Sequence, residues 1–209
     1  MKRYLIITTA VVIAAGIGGG AYFMRSQPTD IFAQCRSTHA GIITAFGGPF
    51  ELTNQDGQTV TEKDVIDGMT LMYFGYTFCP DVCPLDNARN AKAVSIMEQQ
   101  GLMVKPVFVT IDPARDTPAV MKDYVSYIHP RMVGLTGTDA QIKSITKKYL
   151  VYYSKELEPA DPEYYLMSHS TNTYLMDPKY GFLQFFPRTV SAENMAKTVS
   201  CYADVIANN

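Results

Sequence analysis

Two cysteines separated by three residues, Cys79 and Cys83, are the residues of this sequence best suited to chemistry. They follow an apolar and aromatic run at residues 69–76 and precede a run of helix formers at residues 85–100. A helix N-terminus stabilises a thiolate over a thiol through its backbone N–H groups and its dipole. The sequence therefore predicts two acidic thiols where a strand meets a helix, and we expect both sulfurs to be presented to solvent rather than buried.

The same two cysteines permit several kinds of chemistry. A plain disulfide across so short a loop removes little unfolded-state entropy and stabilises the fold little. Redox pairs are usually spaced Cys-x-x-Cys, whereas three residues intervene here. Two thiolates suit cuprous ion, and an added imidazole gives a ligand set close to those of cupric sites, while a structural zinc site normally requires a fourth ligand. We favour copper, with metal-free thiol–disulfide exchange as the alternative.

Three histidines are available as a third ligand. His39 lies in a linker, where a stable ligand is not expected. His129 ends a helix before Pro130, where a helix-terminal or turn role is the ordinary explanation. His169 lies in a short polar interval, which we predict to be a loop that reaches the sheet edge beside the cysteines. A loop histidine is more often a surface residue than a ligand, so the residue pattern alone leaves its role open.

The elements that must position these residues alternate between strand and helix. Residues 69–76 and 104–111 predict central strands covered on both faces, and the helix at 85–100 joins them in a crossover unit. Before this unit we predict a hairpin at residues 50–61, and after it helices at 117–128 and 138–149, strands at 171–176 and 182–186, and a helix at 191–206. This order predicts an α/β sandwich of the thioredoxin type.

The N-terminal residues predict a membrane anchor. Lys2 and Arg3 precede residues 4–24, which contain no charged residue and approach the roughly 20 residues that span a bilayer. The positive charges stay on the cytoplasmic side, so the rest of the chain is exported. A cleaved export signal is the alternative. The predicted organisation is an anchor at 1–25, a juxtamembrane linker at 26–48 and a single folded domain at 49–209.

Composition excludes one class of partner. Of the 209 residues, 47% are hydrophobic, which is enough for one domain with a buried core. The formal charge is −2, from 18 basic and 20 acidic residues. Because binding to a phosphate backbone requires an excess of basic residues, we do not expect a nucleic-acid partner.

Three stretches together carry a family resemblance: FGYTFCPDVCP at residues 74–84, TIDPARDTP at 110–118 and HST at 169–171. They resemble the Sco (SenC) family of copper chaperones, over residues 47–209. The resemblance implies a thioredoxin-like fold, an N-terminal membrane anchor, and one copper ion, cuprous or cupric, held by Cys79, Cys83 and His169. Asp112, Arg115 and Asp116 fall in the second stretch, and we expect them to form loop and helix-cap structure that supports the site.

The resemblance also implies a role. Such proteins help to assemble the binuclear copper site of cytochrome c oxidase subunit II by delivering copper, by reducing the cysteines of the target, or both. The implied partners are subunit II and a copper donor protein. The implied location is the inner membrane, with one span and the domain in the periplasm, or in the mitochondrial intermembrane space for a eukaryotic chain. A thiol–disulfide oxidoreductase that uses Cys79 and Cys83 is the alternative, and a peroxiredoxin-type peroxidase fits less well because Thr77 stands two residues, not three, before Cys79.

The sequence departs from the family pattern at three positions. Many relatives carry an acidic residue before the ligand histidine, whereas this chain has Ser168. We therefore expect a weaker electrostatic influence on the imidazole and a lower cupric affinity. Cys35 and Cys201 are also outside the pattern. We hypothesise that they form a disulfide that pins the linker to the last helix, and two unpaired cysteines are the alternative.

Overall fold

The computed structural model describes residues 30–36, 46–158 and 161–209. The predicted anchor at 1–25 and His39 lie outside the described residues. Among the residues that are described, no helix combines the length and the apolar character required to cross a membrane.

The chain divides into two units, residues 1–34 and residues 35–209. The strands and α-helices described below all belong to the second unit. The strands are β1 Glu51–Asn54, β2 Thr59–Thr61, β3 Thr70–Gly75, β4 Lys105–Thr110, β5 Val133–Thr136, β6 Tyr153–Glu158, β7 Asp161–His169, β8 Thr173–Asp177 and β9 Gly181–Phe186. The helices are α1 Glu62–Val65, α2 Val82–Gln99, α3 Pro118–Ile128, α4 Asp139–Lys148 and α5 Ala192–Ala207, and a 3-10 turn covers Ala33–Cys35.

Strand β3 lies inside a seven-stranded sheet of order β2-β1-β5-β4-β3-β8-β9. It pairs in parallel with β4 and antiparallel with β8. All six of its residues are buried, which confirms the prediction of a central strand covered on both faces. Helix α2 follows β3 and leads to β4, so the start of α2 lies at the carboxyl end of the central strand.

The local signals for helix starts are confirmed. The Thr117 hydroxyl caps α3 by accepting from the Val120 N–H, with Pro118 as the first helical residue. Thr138 and Gln141 form a capping box at the start of α4. These caps depend on neighbours in sequence, which is why the sequence reveals them.

Strands β6 and β7 form a separate two-stranded antiparallel sheet, hereafter the His169 hairpin. Sequence analysis predicted a polar loop around His169, and that prediction was wrong because His169 is the last residue of β7 and pairs with Tyr153. The strands escaped prediction because Lys155 and Glu156 of β6 are exposed, and the residues of β6 and β7 whose burial is described contain no buried run. The short strand β5, Val133–Thr136, was also not predicted.

A disulfide joins Cys35 to Cys201 of α5 in the second unit, with their Cα atoms 5.6 Å apart. Of the two arrangements that the sequence left open, the structure has the bonded one. Cys79 and Cys83 are both free thiols. The four cysteines therefore separate into one disulfide and one dithiol.

Candidate metal centre

Cys79 lies in the loop between β3 and α2, and Cys83 lies in the first turn of α2. The helix begins at Val82, with Asp81 as its N-cap residue, so the free N–H groups of its first turn face this loop. One of them, the Cys83 N–H, donates to Cys79 Sγ at 3.3 Å. The predicted junction of strand and helix therefore places the Cys79 sulfur at the positive end of a helix.

The two sulfurs differ in burial. Cys79 is half-buried, whereas Cys83 is fully buried, so the prediction of two presented sulfurs was wrong for Cys83. The reason is close packing on β3: a Cβ atom added to Gly75 would lie 2.9 Å from Cys83 Sγ. The Cys83 thiol occupies space that only a glycine in the strand leaves open.

The two thiols titrate as a coupled pair. The hydrogen bond with Cys83 lowers the pKa of Cys79 to about 3, and an interaction with His169 and the backbone N–H groups of Cys83 and Asp81 act in the same direction, against burial. The same hydrogen bond to Cys79, together with burial, raises the pKa of Cys83. At neutral pH the reduced pair therefore keeps one proton, on Cys83, and Cys79 is the thiolate.

The imidazole of His169 reaches the buried sulfur. Its Nε2 lies 3.3 Å from Cys83 Sγ, and its Nδ1 lies 2.9 Å from the Ser170 carbonyl oxygen. Because a carbonyl oxygen only accepts hydrogen bonds, Nδ1 carries a proton, and Nε2 is the ring nitrogen that faces the sulfur. The rings of Tyr73 and Tyr76 contact the imidazole edge-on, with centroids 6.2 and 6.1 Å away. The three residues predicted as ligands thus lie together.

The chemistry of these donors fits copper. Two sulfurs and one imidazole nitrogen are the ligand types of cuprous and cupric sites. In the described part of the chain, no three His, Cys, Asp or Glu side chains already stand at metal-binding geometry. The 3.3 Å separation of Cys83 and His169 is instead a hydrogen-bond distance. A bound metal ion would replace the thiol proton of Cys83.

His129 has a structural role, which agrees with the interpretation of the sequence. It is buried at the C-terminal end of α3. Its Nδ1 accepts from the Arg131 N–H at 3.2 Å, and its Nε2 lies 3.6 Å from the Glu98 carboxylate.

Asp116 fixes the start of the cysteine loop. Its carboxylate accepts hydrogen bonds from the Thr77 N–H at 3.0 Å, the Thr77 hydroxyl at 2.5 Å and the Thr110 hydroxyl at 2.5 Å. Burial raises the pKa of Asp116, although these hydrogen bonds act to lower it. The loop that carries Cys79 is therefore tied to the end of β4.

Arg115 connects the cysteine loop to the His169 hairpin. Its Nε donates to Asp112 Oδ2 at 2.5 Å, and its Nη1 donates to the Tyr165 carbonyl oxygen at 3.0 Å. The guanidinium carbon lies 3.7 Å from the ring centroid of Tyr165 and 4.6 Å from that of Phe78. Sequence analysis expected support from Arg115 but missed Tyr165, because β7 was not predicted.

A cavity of about 280 Å³ opens beside the thiolate. Its lining includes Cys79, Glu156, Met167, Ser168 and His169. The Ser168 hydroxyl donates to the Glu156 carboxylate, so a negative charge enters the site from β6 although residue 168 is neutral. The sequence carried no signal for Glu156, since the register of β6 against β7 was not predictable from it.

Comparison with known proteins places this site in a family. The SCO1/SenC family model matches residues 41–204. Protein SenC of Rhodobacter capsulatus is 45% identical over 202 residues, covering 97% of this chain and 90% of that protein. Arabidopsis thaliana ScoI with copper bound is 39% identical, with a TM-score of 0.70 over 79% of this chain and 100% of that chain. Bradyrhizobium japonicum ScoI with copper bound is 38% identical, with a TM-score of 0.66 over 78% and 99% of the two chains.

These structural neighbours confirm the predicted α/β, thioredoxin-like fold of the described domain. The family model covers most of the chain, including both cysteines of the loop and His169. This chain therefore belongs to the SCO1/SenC family.

Proposed function

We propose that this protein is a copper metallochaperone that binds one copper ion through Cys79, Cys83 and His169. The observation that carries the proposal is the position of His169 Nε2, 3.3 Å from Cys83 Sγ, with Cys79 and His169 lining the same cavity. Support also comes from two solved relatives, 39% and 38% identical, that have copper bound. Copper is the cargo of the protein.

The three ligands have different access to a partner. Cys83 is fully buried, whereas Cys79 is half-buried and lines the cavity of about 280 Å³. An incoming thiolate therefore reaches the ion from the side of Cys79. Copper leaves by ligand exchange, in which a cysteine of the target binds the ion as Cys79 releases it, so the ion is never free in solution.

The proposed target is the binuclear copper site of cytochrome c oxidase subunit II, and a copper donor protein supplies the ion. The family membership supports this assignment. In the same proposal, residues 1–25 are a single-pass anchor in the inner membrane, 26–48 a juxtamembrane linker and 49–209 the copper-binding domain. The domain then lies in the periplasm, or in the mitochondrial intermembrane space of a eukaryote, and a cleaved signal at 1–25 is the alternative.

A second function, thiol–disulfide exchange, is favoured by the lowering of the Cys79 pKa to about 3. The Cys79 thiolate attacks a disulfide of the target, forms a mixed disulfide and releases one target sulfur as a thiolate. Cys83 then loses its proton, attacks Cys79 Sγ and releases the second target sulfur. Two electrons pass to the target, Cys79 and Cys83 end as a disulfide, and an external reductant must restore the dithiol.

Copper quantitation with absorption spectroscopy on the full-length chain in detergent tests the primary proposal. We expect equimolar copper in the wild type and loss of binding in Cys79→Ala and Cys83→Ala. His169→Ala should lose the cupric spectrum, because the imidazole supplies the nitrogen donor of the cupric set. A wild-type cupric spectrum in His169→Ala would remove that residue from the site.

The chain offers matched controls for both ligand types. The double variant Cys35→Ala/Cys201→Ala removes two cysteines outside the site, and His39→Ala removes a histidine of the linker. Both control variants should keep equimolar copper and the wild-type spectrum. Equal losses in the control and ligand variants would contradict the proposal.

A single preparation also separates the two functions. A peptide with two cysteines is offered once as a reduced copper acceptor and once as a disulfide. Thiol exchange needs no metal ion, so His169→Ala should still reduce the peptide disulfide while transfer of cupric ion fails. Rapid reduction without any copper transfer by the wild type would favour the oxidoreductase.

A further inference from the structure

The His169 hairpin stands apart from the sheet that carries the cysteines. Within the described residues, β6 and β7 are hydrogen-bonded strands of their own sheet, and β3 belongs to the other. A two-stranded hairpin is only marginally stable by itself in water. Side-chain contacts therefore help to determine where the hairpin lies against the cysteine loop.

Arg115 supplies such contacts from a fixed base. Its Nε is bonded to Asp112, which is buried, and the Asp112 N–H donates to the Thr110 hydroxyl at 2.8 Å at the end of β4. From this base, Nη1 donates to the carbonyl oxygen of Tyr165 on β7 at 3.0 Å. Arg115 thus joins the main sheet to the backbone of the hairpin.

The contact to Tyr165 is reinforced in two ways. The guanidinium lies over the Tyr165 ring, 3.7 Å from its centroid, and the Tyr165 hydroxyl donates to Asp112 Oδ1 at 2.9 Å. The guanidinium carbon also lies 4.6 Å from the ring centroid of Phe78, which immediately precedes Cys79. Phe78 also meets Tyr164 of β7 at a ring-centroid distance of 5.8 Å. A planar, delocalised cation suits this combination of forked hydrogen bonds and ring contacts.

The restraint on Tyr165 also acts on His169, because both residues lie on the same strand. Tyr165 and His169 are four residues apart on β7, so their side chains emerge on the same face, about 13 Å apart along the strand. Because the backbone and the ring of Tyr165 are held in place, the orientation of β7 is fixed. This also fixes the direction from which the His169 side chain approaches the cysteine loop. Arg115 itself need not touch the metal ion.

We infer that Arg115 is a positioning residue, which holds β7 against the cysteine loop and thereby keeps His169 beside the two sulfurs. The inference rests on the copper-binding function proposed above. Two thiolates suffice for cuprous ion, whereas the cupric set needs the imidazole. Arg115 therefore governs the binding of cupric ion and leaves the binding of cuprous ion unaffected.

Arg115→Met is the direct test, because it keeps the length of the side chain but removes its charge and hydrogen bonds. Cupric affinity, measured by competition, should fall about 10- to 100-fold, as it does when outer partners of metal ligands are removed. Cuprous affinity, measured with a cuprous chelator, should stay at the wild-type value. The cupric absorption and electron paramagnetic resonance spectra should shift toward those of His169→Ala.

A matched control is Arg131→Met. Arg131 also joins separate segments, through Glu98 and the Val104 carbonyl oxygen, but it takes no part in the site. This variant should keep both copper affinities and the wild-type spectrum. If Arg115→Met does not fold, Arg115→Lys replaces it, because lysine keeps the charge and loses the fork, and the same selective loss of cupric affinity is expected.

A metal-free readout completes the test. Hydrogen exchange of the β7 amides should accelerate in Arg115→Met while that of the β3 amides stays slow. Wild-type cupric binding in the variants, or equal losses of cuprous and cupric binding, would overturn the positioning role. A wild-type cupric spectrum in His169→Ala would overturn the proposed site as well, whereas loss in His169→Ala with wild-type behaviour in Arg115→Met would overturn only the inference about Arg115.

Discussion

The seven-stranded sheet and the His169 hairpin contribute to the site in different ways. Strand β3 has all six residues buried and is hydrogen-bonded by β4 on one side and β8 on the other, so the cysteine loop departs from a fixed point. In the described residues, β7 pairs with β6 alone, and Lys155 and Glu156 of β6 are exposed. The sulfurs come from the core and the imidazole comes from an outer hairpin.

In the proposed site, this difference separates the two oxidation states of copper. The proposed donors for cuprous ion follow a fully buried strand, whereas the proposed donor that adds cupric binding lies on a strand with fewer buried residues. Cupric affinity can therefore change without a change in the core. Variants that act on one region alone test this contrast.

If the two sheets position the proposed copper ligands, loss of the disulfide should lower the stability of the fold without changing copper binding. Replacing Cys35 and Cys201 by serine opens a link between residues 166 positions apart. We expect the free energy of unfolding, measured in urea, to fall by about 2–5 kcal/mol because the unfolded chain gains entropy. Copper stoichiometry should stay equimolar.

Reductant provides the control for this prediction. Under mild reduction the wild type should lose the same stability, and the double serine variant should lose none. Alkylation of both Cys35 and Cys201 in the unreduced, native protein would show that the bond is absent.

Gly75→Ala acts on the core region. The new Cβ atom would lie 2.9 Å from Cys83 Sγ and 3.0 Å from ring atoms of both Phe108 and Tyr73. Such overpacking typically costs about 1–3 kcal/mol of stability, and it displaces the buried sulfur. We expect the loss of cuprous and cupric binding together, measured by copper quantitation.

The matched control is Gly68→Ala, where an added Cβ meets no atom within 4 Å. It should change neither stability nor copper binding. Cuprous binding by Gly75→Ala at the wild-type level would show that the position of Cys83 tolerates movement, against the contrast drawn here.

The two sulfurs of the core region should differ in reactivity. With its pKa lowered to about 3, Cys79 stays a thiolate from about pH 5 to about pH 8, so its alkylation rate should change little over that range. A thiol of ordinary pKa, as in the urea-unfolded chain, slows roughly tenfold for each pH unit below its pKa. The hydrogen bond to Cys79, together with burial, raises the pKa of Cys83, which should stay unmodified. Mass spectrometry of the alkylated peptides measures both, and a Cys79 rate that rises steadily with pH would refute the assignment of the thiolate.

Glu156→Gln should have the smallest effect, and it acts on the hairpin alone. Removing this exposed carboxylate from the cavity should weaken cupric binding about 2- to 5-fold, in line with the small energies of exposed charges. The loss should shrink at high salt, because exposed charges are screened. Glu51→Gln, an exposed glutamate on β1, is the control, and an equal loss in both variants would exclude a local role for Glu156.

The sequence was sufficient for features that depend on neighbours along the chain. The buried strand β3, the cap of α3 at Thr117 and the placement of Cys79 before α2 all follow from local patterns. The expectation that His169 binds copper came from the family resemblance, since the polar residues around it predicted a loop.

The features that were missed depend on contacts between distant segments. The burial of Cys83 follows from its packing over Gly75, and the link from Arg115 to Tyr165 spans 50 positions of sequence. Strand β7 escaped prediction because its partner β6 has exposed charged residues and no apolar run. In such cases the contacts depend on how two distant elements align with each other. Local patterns in a single sequence do not reveal that alignment.

The bond between Cys35 and Cys201 turns the intervening polypeptide into a closed ring. A protease that cuts once inside the ring, for example within residues 36–48, leaves the two fragments covalently joined. In the proposed topology, with residues 1–25 as the membrane anchor, such a cut does not release the domain as long as the surroundings are oxidising. Retention at the membrane then depends on residues 26–34, a much shorter target for proteolysis than the whole linker.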